Sequence, residues 1–224
     1  MVFIVYMKNT ENYYSTITKV LSKLKPKKIL FLSKAACEEW LSPSMLKYSD
    51  DIHIDYVLIQ EDEILNLECG LMEKNKYKFP YHYVSFDEFK NFPLLESYDF
   101  IIMDTVHYKE YMDYIFKNII SLCNGYVLLH DTLPQNEKEN MTIPRRRNTG
   151  AWVGQTFISY YNFWLGNKDT SYNFNDGYVG YGLIDCTNNN ININYDDSKI
   201  WELDIVRKNS IPHDKFDDIF KKTL

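Results

Sequence analysis

The stretch YDFIIMDTVHYKEYMDYIFKNIISLCNGYVLLHD, residues 98–131, decides the fold. It opens with an apolar run ending in Asp104 and closes with a second apolar run ending in His130 and Asp131. Between them Tyr108, Tyr111, Met112, Ile115, Ile119 and Leu122 recur at helical spacing, and Asn124-Gly125 is the expected helix stop. Short continuous apolar runs flanking a helix are the pattern of parallel strands buried on both faces. The segment therefore reads as a βαβ unit whose two strands finish in acidic groups.

The same alternation extends upstream. Residues 12–24 carry Tyr13, Ile17, Val20, Leu21 and Leu24 on one helical face, and Pro26 ends the helix. KKILFLS follows as a buried strand, AACEEWLSPSMLKYS as a helix up to Pro43, and HIDYVLIQ as a second strand. A helix-compatible stretch at about 62–75 leads to YHYVSF, a third strand. Downstream, WVGQTFISYYNFW reads as an aromatic helix, and YVGYGLID and KIWELDIV as late antiparallel strands.

Strands alternating with helices imply right-handed crossovers and a doubly wound, mostly parallel α/β sheet. A single domain over 1–224 is expected, with 132–165 as a lid-like insertion. The opening MVFIVYM reads as an edge strand or dimer contact, so a homodimer is an expectation, and the Asn-rich 188–194 as a hairpin tip.

Composition excludes some partners. A net charge of −6 disfavours nucleic acid, although PRRRN (144–148) concentrates positive charge that suits a small anion. No apolar run approaches the roughly 18–20 residues that span a bilayer, which argues against membrane insertion. Cys37, Cys69, Cys123 and Cys186 are far apart and form no CxxC pair, so reduced thiols and a cytoplasmic setting are expected.

In doubly wound sheets ligands bind beyond the carboxyl ends of the strands, which is where Asp104 and Asp131 lie. Two such carboxylates suit a hard divalent ion such as Mg²⁺ or Mn²⁺, and equally suit helix capping. His107, three residues after Asp104, could take a proton from a hydroxyl near neutral pH. His130 precedes Asp131 within a strand, so both can reach one ion only if the strand bends there. Arg145, Arg146 and Arg147 could grip an anionic substrate. Trp152, Tyr160, Tyr161, Phe163 and Trp164 could line a sugar pocket, though helical spacing more often means core.

The stretches 98–135 and 144–185 resemble class I S-adenosylmethionine-dependent methyltransferases. More narrowly, Asp104-x-x-His107, His130-Asp131, PRRRNTGAWVGQTF and GYVGYGLID resemble a glycan-associated, methyltransferase-like branch. The resemblance implies an O-methyltransferase acting on a sugar hydroxyl of a glycan or glycan precursor. It implies a metal held by Asp104 and Asp131 with His130 beside them, and His107 as base. It further implies cofactor contacts at Ser33, at Glu61 or Asp62, and at Asp87, with Arg145–Arg147, Trp152 and Gln155 toward substrate. Two features depart from the pattern: ILFLSKAACEEW contains no glycine where the family has a glycine-rich turn, and Gln155 stands where the branch has an acid. The glycine-free loop motivates one alternative, a non-catalytic binding or assembly module of the same fold; another is a sugar-nucleotide-using transferase in which the two acids hold Mn²⁺ and Arg145–Arg147 grip the diphosphate.

Overall fold

A computed structural model describes residues 13, 15–33, 52–60, 81–105, 107–134, 154–177, 179–198 and 203–223. After helix α1 (15–24, with residue 13 also helical) come β1 (Lys28–Ser33), β2 (His53–Gln60), β3 (His82–Ser85) and a one-turn helix α2 (Phe86–Phe89). The decisive βαβ unit is β4 (Tyr98–Asp104), α3 (Lys109–Asn118) and β5 (Cys123–His130). Then follow α4 (Thr156–Gly166), β6 (Ser171–Asn175), β7 (Tyr181–Asp185), α5 (Leu203–Asn209), the short β8 (Ile211–Pro212) and α6 (Phe216–Thr223).

The strands form one sheet in the order β3-β2-β1-β4-β5-β7-β6-β8. Neighbours from β3 to β5 are parallel, and β7 is antiparallel to both β5 and β6. This is the doubly wound, Rossmann-like sheet with late antiparallel strands that the sequence implied. The order reverses between β1 and β4, where Ser33 pairs with Asp104 at the carboxyl ends. A crevice at such a reversal is where sheets of this kind seat ligands.

Side chains on successive strand positions point to opposite faces, which divides the core into two layers. Leu30, Leu32, Ile101, Met103, Val127 and Leu129 face Met112, Ile115 and Phe116 of α3 and Tyr160 and Phe163 of α4. Ile29, Phe31, Phe100, Ile102, Tyr126 and Leu128 face Tyr13, Ile17, Val20 and Leu21 of the first helix and Phe216 and Phe220 of α6. Tyr160 and Phe163 are thus core residues, as their spacing suggested.

Three expectations need correction. The helix ends at Asn118, and Asn124-Gly125 lies inside β5. Glycine is needed there because a Cβ at Gly125 would fall 2.0 Å from the backbone oxygen of Asp99 on the neighbouring strand. The described part of KIWELDIV is helix α5: Asp204 in its first turn and Arg207 and Lys208 in its last complement the helix dipole. Strand β6, SYNFN, was not anticipated, because its buried Asn173 gives it a polar, loop-like composition. Residues 1–7, the stretches expected as helices at 35–43 and about 62–75, and most of the proposed lid lie outside the described residues.

Candidate functional site

The site is built where β4 and β5 end side by side. Asp104 closes β4, is 3% exposed, and contributes to a group with His107 and Asp131 whose potential ligand atoms all lie within 4.8 Å of one another. All three residues are buried. His107 is fully enclosed, and its Nε2 lies 2.7 Å from Asp131 Oδ2.

The alternation objection to His130 is resolved by the backbone. Asp131 has φ +63°, a left-handed conformation that Asp tolerates better than most residues. The chain therefore bends as β5 ends. His130 Nδ1 lies 3.5 Å from both Asp104 Oδ2 and Asp131 Oδ1. Burial pushes the His130 imidazole pKa down, but the carboxylates of Asp131, Asp104 and Asp176 outweigh it, and the net shift is upward.

A small cavity between the strand ends is lined by Met103, Asp104, Thr105, His130, Asp131 and Thr156, among others. Three buried polar atoms, His130 Nε2, Thr105 Oγ1 and Thr156 Oγ1, have no hydrogen-bond partner among the described residues. Buried polar atoms are normally paired, so these three are an exception, and the cavity between them is too tight for a water molecule as it stands. The carboxylates of Asp104 and Asp131 and the His130 imidazole line it, and together with His107 they are a donor set whose chemistry suits a divalent cation.

Gln155 and Gly154 hold the His107 segment in place. The Gln155 backbone N–H donates to the His107 carbonyl (2.7 Å), and Gln155 Oε1 accepts from the Lys109 backbone N–H (3.2 Å). The second bond caps α3, whose own N-cap Tyr108 makes no side-chain cap. Gly154 has φ +54°, and a Cβ there would come within 2.3 Å of His107 Cβ. On the other side, Leu133 N–H donates to the Val179 carbonyl (2.7 Å), and Thr132 Oγ1 donates to Asn173 Oδ1 (2.6 Å), fixing the chain after Asp131 onto β6 and the turn before β7.

The sequence-derived candidates therefore divide. Asp104, His107, His130 and Asp131 converge, and Ser33 is buried at the adjoining end of β1. Gln155 lies at the edge of this group, its amide oxygen and backbone N–H turned to residues 107–109. Asp87 stands apart on α2, with an exposed side chain bonded to Lys90 (2.8 Å). Glu61, Asp62, Arg145, Arg146, Arg147 and Trp152 lie outside the described residues. Sequence reasoning missed Thr105, which directly follows Asp104, and Thr156, which the start of α4 brings to the strand ends. It also missed Tyr13, which reaches the site from a helix nearly a hundred residues upstream of β4's end.

No protein-family model matches this sequence, and no curated protein matches it. Solved structures do resemble it in fold. A candidate caffeoyl-CoA O-methyltransferase from Staphylococcus aureus is 22% identical, with 77% of this chain and 82% of that chain covered and a TM-score of 0.49. An SAH-bound methyltransferase from Podospora anserina is 15% identical over 77% of this chain and 76% of that one, at the same TM-score of 0.49. An O-methyltransferase from Bacillus cereus in complex with SAH is 13% identical over 79% and 80%, with a TM-score of 0.44. At such distances the case for a function rests on this chain's own residues.

Proposed function

We propose that the chain is an S-adenosylmethionine-dependent, divalent-metal-assisted O-methyltransferase acting on a sugar hydroxyl of a glycan or glycan precursor. The observation that carries this reading is the buried Asp104, His107 and Asp131 group at the ends of β4 and β5, beside the reversal of strand order. The sugar acceptor rests on the sequence resemblance. S-adenosylmethionine would supply the methyl group, and a divalent ion the charge that lowers the pKa of an acceptor hydroxyl.

The chain's own residues have definable tasks in this reading. Asp104 and Asp131 supply carboxylate oxygens, and His130 presents Nδ1 to both. His107 holds a transferred proton on its imidazole, and Asp131 at 2.7 Å orients that ring and stabilises its charged form. On the sequence resemblance, Ser33, Glu61 and Asp62 would contact the cofactor and Arg145–Arg147 and Trp152 the acceptor, whereas Asp87 stands apart on α2 and Gln155 supports the His107 segment. The main catalytic contribution is alignment of acceptor and methyl donor.

The full enclosure of His107 and the glycine-free segment after β1 favour a second reading, a non-catalytic binding module of the same fold. Calorimetric titration of S-adenosylmethionine and S-adenosylhomocysteine, with and without Mn²⁺, separates the two. Micromolar binding that weakens in Asp104→Ala supports the enzyme. Absence of cofactor binding with and without Mn²⁺ refutes it.

A further inference from the structure

We propose that Tyr13 is the positioning residue that sets the two strand ends of the site against each other. Its phenol is completely buried and touches both strands at once. The ring stacks on His130 at 4.5 Å between centroids and 28° between planes. The hydroxyl donates to the Met103 carbonyl at 3.1 Å, one residue before Asp104. One side chain from the first helix thus holds β4 through its backbone and β5 through its terminal imidazole. This inference rests on the metal-site reading above and adds a residue to it.

The physical task follows from the imidazole's freedom. Rotation about the bond joining a ring to Cβ is broad and roughly two-fold, so a His at a strand end can turn its nitrogens toward or away from a neighbouring carboxylate. Tyr13 fixes the plane of His130, because the ring cannot swing out of that plane without striking the phenol. The carboxylates of Asp104 and Asp131, each 3.5 Å from Nδ1, then select which edge faces them. Tyr181 packs beside Tyr13 at 6.1 Å between ring centroids, and the complete burial of Tyr13 leaves the phenol little room to retreat. Groups that orient metal-binding side chains from behind commonly change metal affinity by roughly 10–100-fold when removed.

A matched control exists in the same core layer. Tyr56 stacks on Phe31 at 4.5 Å and 18°, and is 3% exposed. Tyr56→Leu therefore removes a comparable stack on β2 with no tie to His130. The test combines Mn²⁺ titration by calorimetry with the imidazole ¹⁵N resonances of His130, which report tautomer and ring averaging and respond weakly to the loss of a neighbouring ring current.

Tyr13→Leu is expected to lower Mn²⁺ affinity about 10–100-fold and to average or broaden the two His130 nitrogen resonances. Tyr13→Phe, which keeps the stack but loses the bond to Met103, is expected to bind Mn²⁺ with an affinity between those of wild type and Tyr13→Leu and to keep the His130 resonances resolved. Tyr56→Leu is expected to lose stability without changing Mn²⁺ affinity. If Tyr13→Leu does not fold, Tyr13→Met, whose flexible side chain fills similar space, takes its place with the same expectation. Unchanged His130 resonances in the Leu or Met variant overturn the inference, as does an equal loss of affinity in Tyr56→Leu. Failure of the wild type to bind Mn²⁺ defeats the metal reading instead. The resonances, recorded without metal, then decide the role of Tyr13: averaging supports it and invariance overturns it.

Discussion

Gly154→Ala tests how tightly the start of α4 is fitted to the His107 segment. Two penalties can be worked out. A non-glycine residue at φ +54° costs about 1–2 kcal/mol in backbone conformation. The new Cβ would also lie 2.3 Å from His107 Cβ and 2.8 Å from the His107 carbonyl oxygen, so one segment must move. Movement lengthens the 2.7 Å bond from Gln155 N–H to that carbonyl, worth about 1 kcal/mol net, and overpacking adds about 1–3 kcal/mol. A total of about 3–6 kcal/mol is expected, a large part of the stability of a typical domain. Gly177→Ala supplies the reference, because Gly177 has φ +81° and nothing lies within 4 Å of its added Cβ. It should lose only the backbone penalty, about 1–2 kcal/mol. Urea unfolding followed by tryptophan fluorescence measures both. Equal losses in the two variants, within about 0.5 kcal/mol, would show that the contact with His107 is not a constraint.

Gly125→Ala should be among the most damaging single changes, about 3 kcal/mol or more, because the clash at 2.0 Å is with backbone on β4. Gly166→Ala, whose Cβ would lie 3.0 Å from Tyr195 Cβ, asks for a shift of only a few tenths of an ångström and should cost much less than Gly125→Ala in the same urea assay. Tyr160→Phe leaves the Tyr172 carbonyl without the 2.7 Å donor it now has, and should lower stability by about 1 kcal/mol. Burial, and then Lys19, push the pKa of His213 below its ordinary value, and its Nδ1 lies 2.6 Å from the Tyr181 hydroxyl. The folded state thus resists protonation: this contribution is full above about pH 6.5 and is lost as pH falls through the folded pKa. His213→Gln, which does not titrate, should remove that part of the acid-side decline when urea midpoints are compared from about pH 8 down to 5.

The parts of the fold written in continuous apolar runs were legible in the sequence. β1, β2, β4 and β5 are buried on both faces, so their composition alone separates them from helix and loop. β6 was not legible, because its Asn173 is buried through bonds with Thr132, a partner that only the folded sheet supplies. Gly125 was misread for a related reason: glycine after a helix-like run signals a stop, and the close approach of Asp99 is invisible until β4 and β5 pair. In the site, strand-end acids and the Asp-x-x-His spacing were legible. Whether His130 could join them depended on one torsion, φ at Asp131. Tyr13 was legible only as a helix-face aromatic, since its contacts are with residues that are distant along the chain.

The bonds on either side of residues 135–153 bear on how such a protein could diversify. Before this stretch the chain is tied down by Leu133 to Val179, and after it by Gln155 to His107. Neither fixed post, Leu133 with Val179 nor Gln155 with His107, draws its bond from a residue of 135–153, so substitutions there leave the partners of both bonds in place. The arginines and Trp152 lie between those posts. Selection, or an engineer, could therefore rewrite this stretch as a cassette while the aspartates and histidines at the strand ends stay where they are.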